Sequence, residues 1–103
     1  MPTINKPKKD RNRSNEMKRK ERMKIYNSAR WRKLRELKMT NDPLCEICEA
    51  SGKVTPVDDV HHLISFMSVD DPVRRYHLAY DYDNLQSVCD ECHQRLHNAR
   101  KQG

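Results

Sequence analysis

Apolar positions are sparse at the start of the chain and become patterned only after about residue 25. Met1 to Arg13 has two prolines, no apolar periodicity and a run of positive charge, which predicts a disordered start. Ser14 to Tyr26 is rich in helix formers, with Met17, Glu21, Lys24 and Ile25 about a turn apart, so a basic helix with a thin apolar stripe is expected. Ser28 to Met39 is a firmer helix. Asn27 or Ser28 can cap it, and Trp31, Leu34, Leu37 and Met39 give an inward face, with Trp31 read as core packing. Arg30, Arg32, Lys33 and Arg35 point elsewhere. The helix should stop before Asn41-Asp42-Pro43, because proline disfavours helical geometry in the residue before it.

Further along, Ser51-Gly52-Lys53 is a turn signal, and the apolar and β-branched residues from Val57 to Phe66 read as one strand. Residues 67–80 form a loop or a loose helical turn, Asp83-Asn84 another turn, and Leu85 to Val88 a short return strand. Asp90 can cap a last helix that fades into Arg100-Lys101. The order is helix, knuckle, strand, loop, strand, helix: a small α+β chain built on a ββα unit.

Composition makes that unit hard to stabilise by burial alone. At 103 residues, with 35% hydrophobic residues and a mean hydropathy of -1.11, the chain is one domain at most and has little material for a core. A structural metal is therefore expected. The four cysteines form two CxxC pairs, Cys45 with Cys48 and Cys89 with Cys92, a spacing at which two half-sites complete one tetrahedral zinc. Two disulfides in a secreted protein are the other reading. No signal-like hydrophobic run is present, and the charge-dense composition fits an intracellular, cytoplasmic chain with reduced thiols. No apolar run is long enough to span a bilayer, which excludes a membrane protein.

Charge is unevenly divided. Residues 1–40 carry fifteen Lys/Arg against four Asp/Glu, whereas residues 41–103 carry six against eleven. A block this basic attracts polyanions, nucleic acid first, while an acidic half with five histidines and four cysteines suits cations. The plain alternative for the basic segment is a solvated tail. His93 directly follows Cys92, and His97 lies one helical turn further on the same face, beside the zinc and available for a second task. His61 and His62, as neighbours on a strand, project to opposite sides and should play different parts.

In order and spacing, Cys45-x-x-Cys48, His61-His62-Leu-Ile, Asn84-Leu-Gln and Cys89-x-x-Cys92-His93 resemble the HNH endonuclease family. Tyr26-Asn27-Ser28-x-x-Trp31-x-x-Leu34-Arg35, leading to Pro43-Leu44-Cys45, resembles in particular the small HNH proteins of bacteriophages. The similarity covers about residues 26 to 97. It implies a ββα-metal, treble-clef-like nuclease domain at 26–103; residues 1–25 lie outside the resemblance and, from their composition, read as a basic extension that is partly disordered or helical.

Carried over residue by residue, the resemblance makes His61 a ligand of a catalytic divalent ion, His62 the general base and His93 the second ligand. His97 becomes a third ligand or a contact to the scissile phosphate. Asn84 takes the position whose amide orients the base histidine; its own chemistry equally suits a plain turn. The family's usual Asp-His is His-His here, which makes the site less negative and shifts preference toward manganese or nickel, with magnesium still suitable. Arg30, Arg32, Lys33 and Arg35, with the basic amino-terminal region, are the expected DNA contacts. The resemblance further implies duplex DNA as substrate, nicked or cut to 5′-phosphate and 3′-hydroxyl ends, and a part in phage genome packaging with terminase and portal.

Other candidates read more plainly. Asp58 and Asp59 read as solvated charge, Tyr80 and Tyr82 as packing or backbone contacts, and His77 as an ordinary surface histidine. A zinc-stabilised nucleic-acid-binding module without catalysis is the second hypothesis. A variant of it puts Cys45, Cys48, His93 and His97 on zinc, but the gap between its pairs is far longer than finger spacing and strands Cys89 and Cys92. Binding alone does not require His61, His62 and Asn84 in that order.

Overall fold

Ser28 organises the first half of the molecule. Its extended backbone ends one helix and its Oγ accepts the Trp31 N–H, at 3.1 Å, to cap the next. The computed structural model describes residues 6–102, with the helices α1 (Lys6–Tyr26), α2 (Ala29–Asn41), α3 (Glu46–Ala50), α4 (Pro72–Ala79) and α5 (Asp90–Gln102). Two strands, β1 (Asp59–His62) and β2 (Leu85–Val88), form one antiparallel pair with Asp59 opposite Val88 and His62 opposite Leu85.

Several expectations change. The disordered start was expected to reach Arg13, but α1 begins at Lys6; Met1 to Asn5 lie outside the described residues. Pro7 is the second residue of α1, in the turn where a missing N–H costs no intrahelical bond. The α2 helix runs through Asn41, where Asp42 ends it, two residues beyond Met39. Leu37, expected inward, is exposed, while Lys38 is buried. The Lys38 ammonium meets Asp42 at 2.7 Å and Glu46 at 3.3 Å. Burial alone would lower its pKa, but hydrogen bonds to the two carboxylates outweigh that and raise it, so it stays charged.

The strand expected over Val57 to Phe66 is only four residues long. After His62 the backbone turns away because Asn84 takes the Ile64 N–H and carbonyl, and Ser65 then caps a single 3-10 turn at Phe66–Ser68. The expected loop at 67–80 contains α4, started by Asp71, whose side chain accepts from Val73 N–H, and by Pro72 at the first helical position. His77 is exposed on α4, consistent with a surface histidine.

Burial is divided among three small clusters. Trp31, Val60 and Leu85 join α2 to the hairpin; Ile25, Phe66 and Ala79 join the end of α1 to α4; Val88, Cys45, Cys89 and Cys92 surround the thiols. Arg75 of α4 is buried and pairs with Glu21 of α1, with its Nε donating to the Val69 carbonyl at 2.7 Å. The basic α1 is thus docked by its last turns. No described helix is long and apolar enough to cross a membrane.

Candidate active site and metal centre

The knuckle and the start of α5 bring all four cysteines together. Cys45 ends an extended segment tied by its N–H to Thr55 O at 2.7 Å, and Gly52, at φ 85, makes the left-handed turn that returns the chain from α3. The four Sγ atoms lie within 4.8 Å of one another, with Cys48 Sγ 3.8 Å from Cys89 Sγ and 3.7 Å from Cys92 Sγ. Four sulfurs about 2.3 Å from a tetrahedral zinc stand roughly 3.8 Å apart, so the cage fits that ion. It does not fit disulfides, whose sulfurs lie about 2 Å apart, and all four thiols are free.

Without a cation the cage is electrostatically uneven. Burial pushes the Cys92 thiol up to about 12, reinforced by the thiols of Cys89, Cys48 and Cys45. Burial also acts against ionisation of Cys45, but backbone N–H groups of Cys48 and Cys89 outweigh it and bring that thiol down to about 7. A divalent cation resolves the conflict by favouring the thiolate at every position.

Strand alternation then divides the paired histidines. Val60 and His62 pack with Trp31, whereas Asp59 and His61 lie toward His93, although both histidines are buried. The His62 ring is 4% exposed, stacks on Trp31 with centroids 4.8 Å apart, and meets Phe66 edge-on at 5.0 Å. His62 Nε2 is 3.0 Å from Ala79 O. A carbonyl only accepts, so Nε2 is the donor in this contact. On the opposite face, His61 meets His93 of α5 edge-on with centroids 5.6 Å apart.

A cleft of about 760 Å³ gathers these groups, lined by His61, His62, His93 and His97 together with Asp59, Arg22 and Arg35. Asn84 is buried outside that lining. Its Oδ1 accepts from Ile64 N–H at 2.8 Å, and its Nδ2 donates to the Ile64 and Leu78 carbonyls at 2.9 and 3.0 Å. These bonds fix the backbone next to Ala79, whose carbonyl holds the His62 ring. Asn84→Ala leaves those part-buried backbone groups without their side-chain partner and should lower stability by about 1–3 kcal/mol in urea unfolding. An unchanged midpoint would remove this clip role.

The expected DNA contacts separate. Arg32 and Lys33 are exposed on α2, and Arg30 lies over the Tyr80 ring at 4.3 Å. Arg35 turns into the cleft, where its Nε donates to Asp59 Oδ1 at 3.0 Å. Tyr80 Oη lies 2.9 Å from Ser28 Oγ, and Tyr82 Oη accepts from Asn41 Nδ2 at 3.0 Å, so both tyrosines tie helix to hairpin through side chains.

Of the acidic pair read as solvated charge, Asp58 is exposed but bonded, and Asp59 is half-buried. Asp58 Oδ2 accepts the Asp90 N–H at 2.8 Å, serving the start of α5 in place of the cap expected from Asp90 itself, which is the first helical residue. Asp59 shares the His61 face and lines the cleft. Its signal was available: two residues along a strand restores the face. Arg22 and Met23 of α1 also line the cleft, and no motif marks them.

A thiol cage clipped to a ββα hairpin, with a cleft beside it lined by imidazoles and two arginines, is the equipment of a nuclease. The sequence profile described as HNH endonuclease matches residues 45–99. A crystal structure of the HNH endonuclease of the deep-sea thermophilic bacteriophage GVE2, holding manganese ion, is similar at a TM-score of 0.75 and 27% identity, over 88% of this chain and 94% of that one. No curated protein sequence matches the chain. The chain belongs to the HNH endonuclease family. The cysteine cage excludes the finger variant, since Cys89 and Cys92 join Cys45 and Cys48 in the cluster and leave His93 and His97 to the cleft.

Proposed function

We propose that this nuclease hydrolyses phosphodiester bonds of duplex DNA, nicking or cutting it, with zinc in the cysteine cage and a separate divalent cation at His61 and His93. His97 would complete the ligand set or contact the scissile phosphate. The observation that carries this reading is the single cleft holding four of the five histidines beside Arg22 and Arg35. Manganese is favoured by the solved phage relative, with nickel and magnesium also suited to imidazole, water and phosphate oxygens.

His62 accepts a proton from water at Nδ1 while Nε2 stays bonded to Ala79 O, and the Trp31 and Phe66 rings hold the imidazole in place. The water oxygen bonds to phosphorus, the P–O3′ bond breaks, and solvent protonates the departing 3′ oxygen. The ends are a 5′-phosphate and a 3′-hydroxyl. The cation, when bound, supplies charge stabilisation on the phosphate and the leaving oxygen. Exposed Arg32, Lys33, Lys18, Arg19 and Lys20 give phosphate contacts, each adding about one unit to the slope of log affinity against log salt. We read residues 26–103 as the nuclease unit and 1–25 as its DNA-gripping extension. Its likeness to a phage protein supports a phage-encoded enzyme; action in the host cytoplasm and in genome packaging with terminase and portal is the reading that goes with such an origin.

Supercoiled plasmid incubated with manganese, magnesium or nickel tests the reading. Relaxed or linear product is expected, lost after brief EDTA treatment that leaves the zinc content at one per chain. Intact plasmid with all three metals would sink it.

A further inference from the structure

Asp59 has no part in the chemistry above, yet its carboxylate is built into the cleft wall. Oδ1 accepts two bonds, from Val60 N–H at 2.8 Å and from Arg35 Nε at 3.0 Å. Arg35 is itself steadied by a 3.4 Å contact from Nη2 to Asp58 O. Donors from two different elements therefore fix one oxygen and with it the plane of the carboxylate. The other oxygen, Oδ2, lies 3.8 Å from Nδ1 of His93. Asp58, the neighbouring acid, is turned away to the Asp90 amide and cannot substitute.

We infer that Asp59 is a positioning residue for His93, buttressed by Arg35, which holds the imidazole with its Nδ1–H toward the carboxylate and presents Nε2 to a cation in the cleft. Neutral histidine exists as two tautomers, and the hydrogen bond made by one nitrogen decides which lone pair the other offers. The 3.8 Å separation exceeds hydrogen-bond length, so the contact tightens only when His93 engages a cation, as the inference requires. A carboxylate behind a metal-facing histidine fixes the tautomer and raises the basicity of the ligating nitrogen. The inference rests on the cleft being a cation site, as in the proposed function. It assigns a task to a carboxylate that strand parity places on the His61 face.

The test uses the full chain, zinc-loaded and labelled with ¹⁵N-histidine, without other divalent metal at alkaline pH. Long-range ¹H–¹⁵N correlation should show His93 as the Nδ1–H tautomer. Calorimetric titration with manganese chloride then measures affinity. Asp59→Ala should shift His93 toward Nε2–H and raise the manganese Kd by about 10–100-fold. Asp59→Asn, whose amide oxygen is claimed by the Val60 and Arg35 donors, turns its NH2 toward Nδ1 and should likewise shift His93 toward Nε2–H and raise the manganese Kd. Arg35→Met, which leaves the carboxylate without its buttress, should give an intermediate rise.

An Nε2–H tautomer in the wild type, or Asp59→Ala with unchanged tautomer and manganese affinity, would overturn the inference. Loss of affinity in Asp59→Asn as large as in Asp59→Ala, with the tautomer intact, would overturn it by making Asp59 a direct ligand. If the tautomer and manganese responses hold while wild-type protein leaves plasmid intact, the positioning role stands and the hydrolytic reading alone fails.

Discussion

Cys89→Ser should abolish the cooperative melting transition and take zinc content from one per chain to near zero. Cys89 is 4% exposed and its Sγ is 3.8 Å from Cys48 Sγ, so the thiol belongs to the cage. Structural zinc contributes about 10–16 kcal/mol of binding free energy in small zinc domains, whereas a domain's whole net stability is about 5–15 kcal/mol. The three apolar clusters are small, so a fold resting on such an ion should not survive its loss. Circular dichroism should show loss of the helix signal from the carboxy-terminal half. A variant that melts cooperatively at the wild-type temperature would rule out zinc as the scaffold.

His62→Gln should lower plasmid cleavage by about 10²–10⁴-fold, the usual contribution of a positioned base, while DNA binding measured by anisotropy stays near wild type. The glutamine amide can still donate to Ala79 O, the partner 3.0 Å from His62 Nε2, but its side chain has no lone pair able to take a proton from water at neutral pH. Size matters in choosing the variant. His62→Ala would empty the space between Trp31 and Phe66 and lower stability by about 2–4 kcal/mol, mixing a folding effect with a chemical one. Full cleavage by the glutamine variant, in a protein with unchanged melting, would move the base elsewhere.

The motif spacing made the cysteine cage and the return strand Leu85 to Val88 legible before any coordinates, because local chemistry decides both. The first cap was equally readable: Ser28 has the side chain that a helix start requires and occupies that position. What could not be read depends on distant partners. Lys38 is buried because Asp42 and Glu46 converge on it, and Glu46 reaches it from beyond the helix end. Arg35 faces the cleft because Asp59 stands there, although its place in a basic helix suggested solvent and phosphate. The strand was read too long since β-branched residues say nothing of Asn84, twenty positions away from the Ile64 backbone it captures. Asp71-Pro72 carries a helix-start signal, and the loose helical turn that residues 67–80 allow is the full two-turn helix α4.

The alternation along Asp59 to His62 has a consequence for how this sequence can change. Inserting or deleting one residue within those four positions would reverse the parity of the segment, sending the His62 imidazole from the aromatic pocket toward His93 and the His61 imidazole toward Trp31. Length variation should therefore collect in the connection between the strands, at the exposed residues near Asp70, where the reading frame of the hairpin is left untouched.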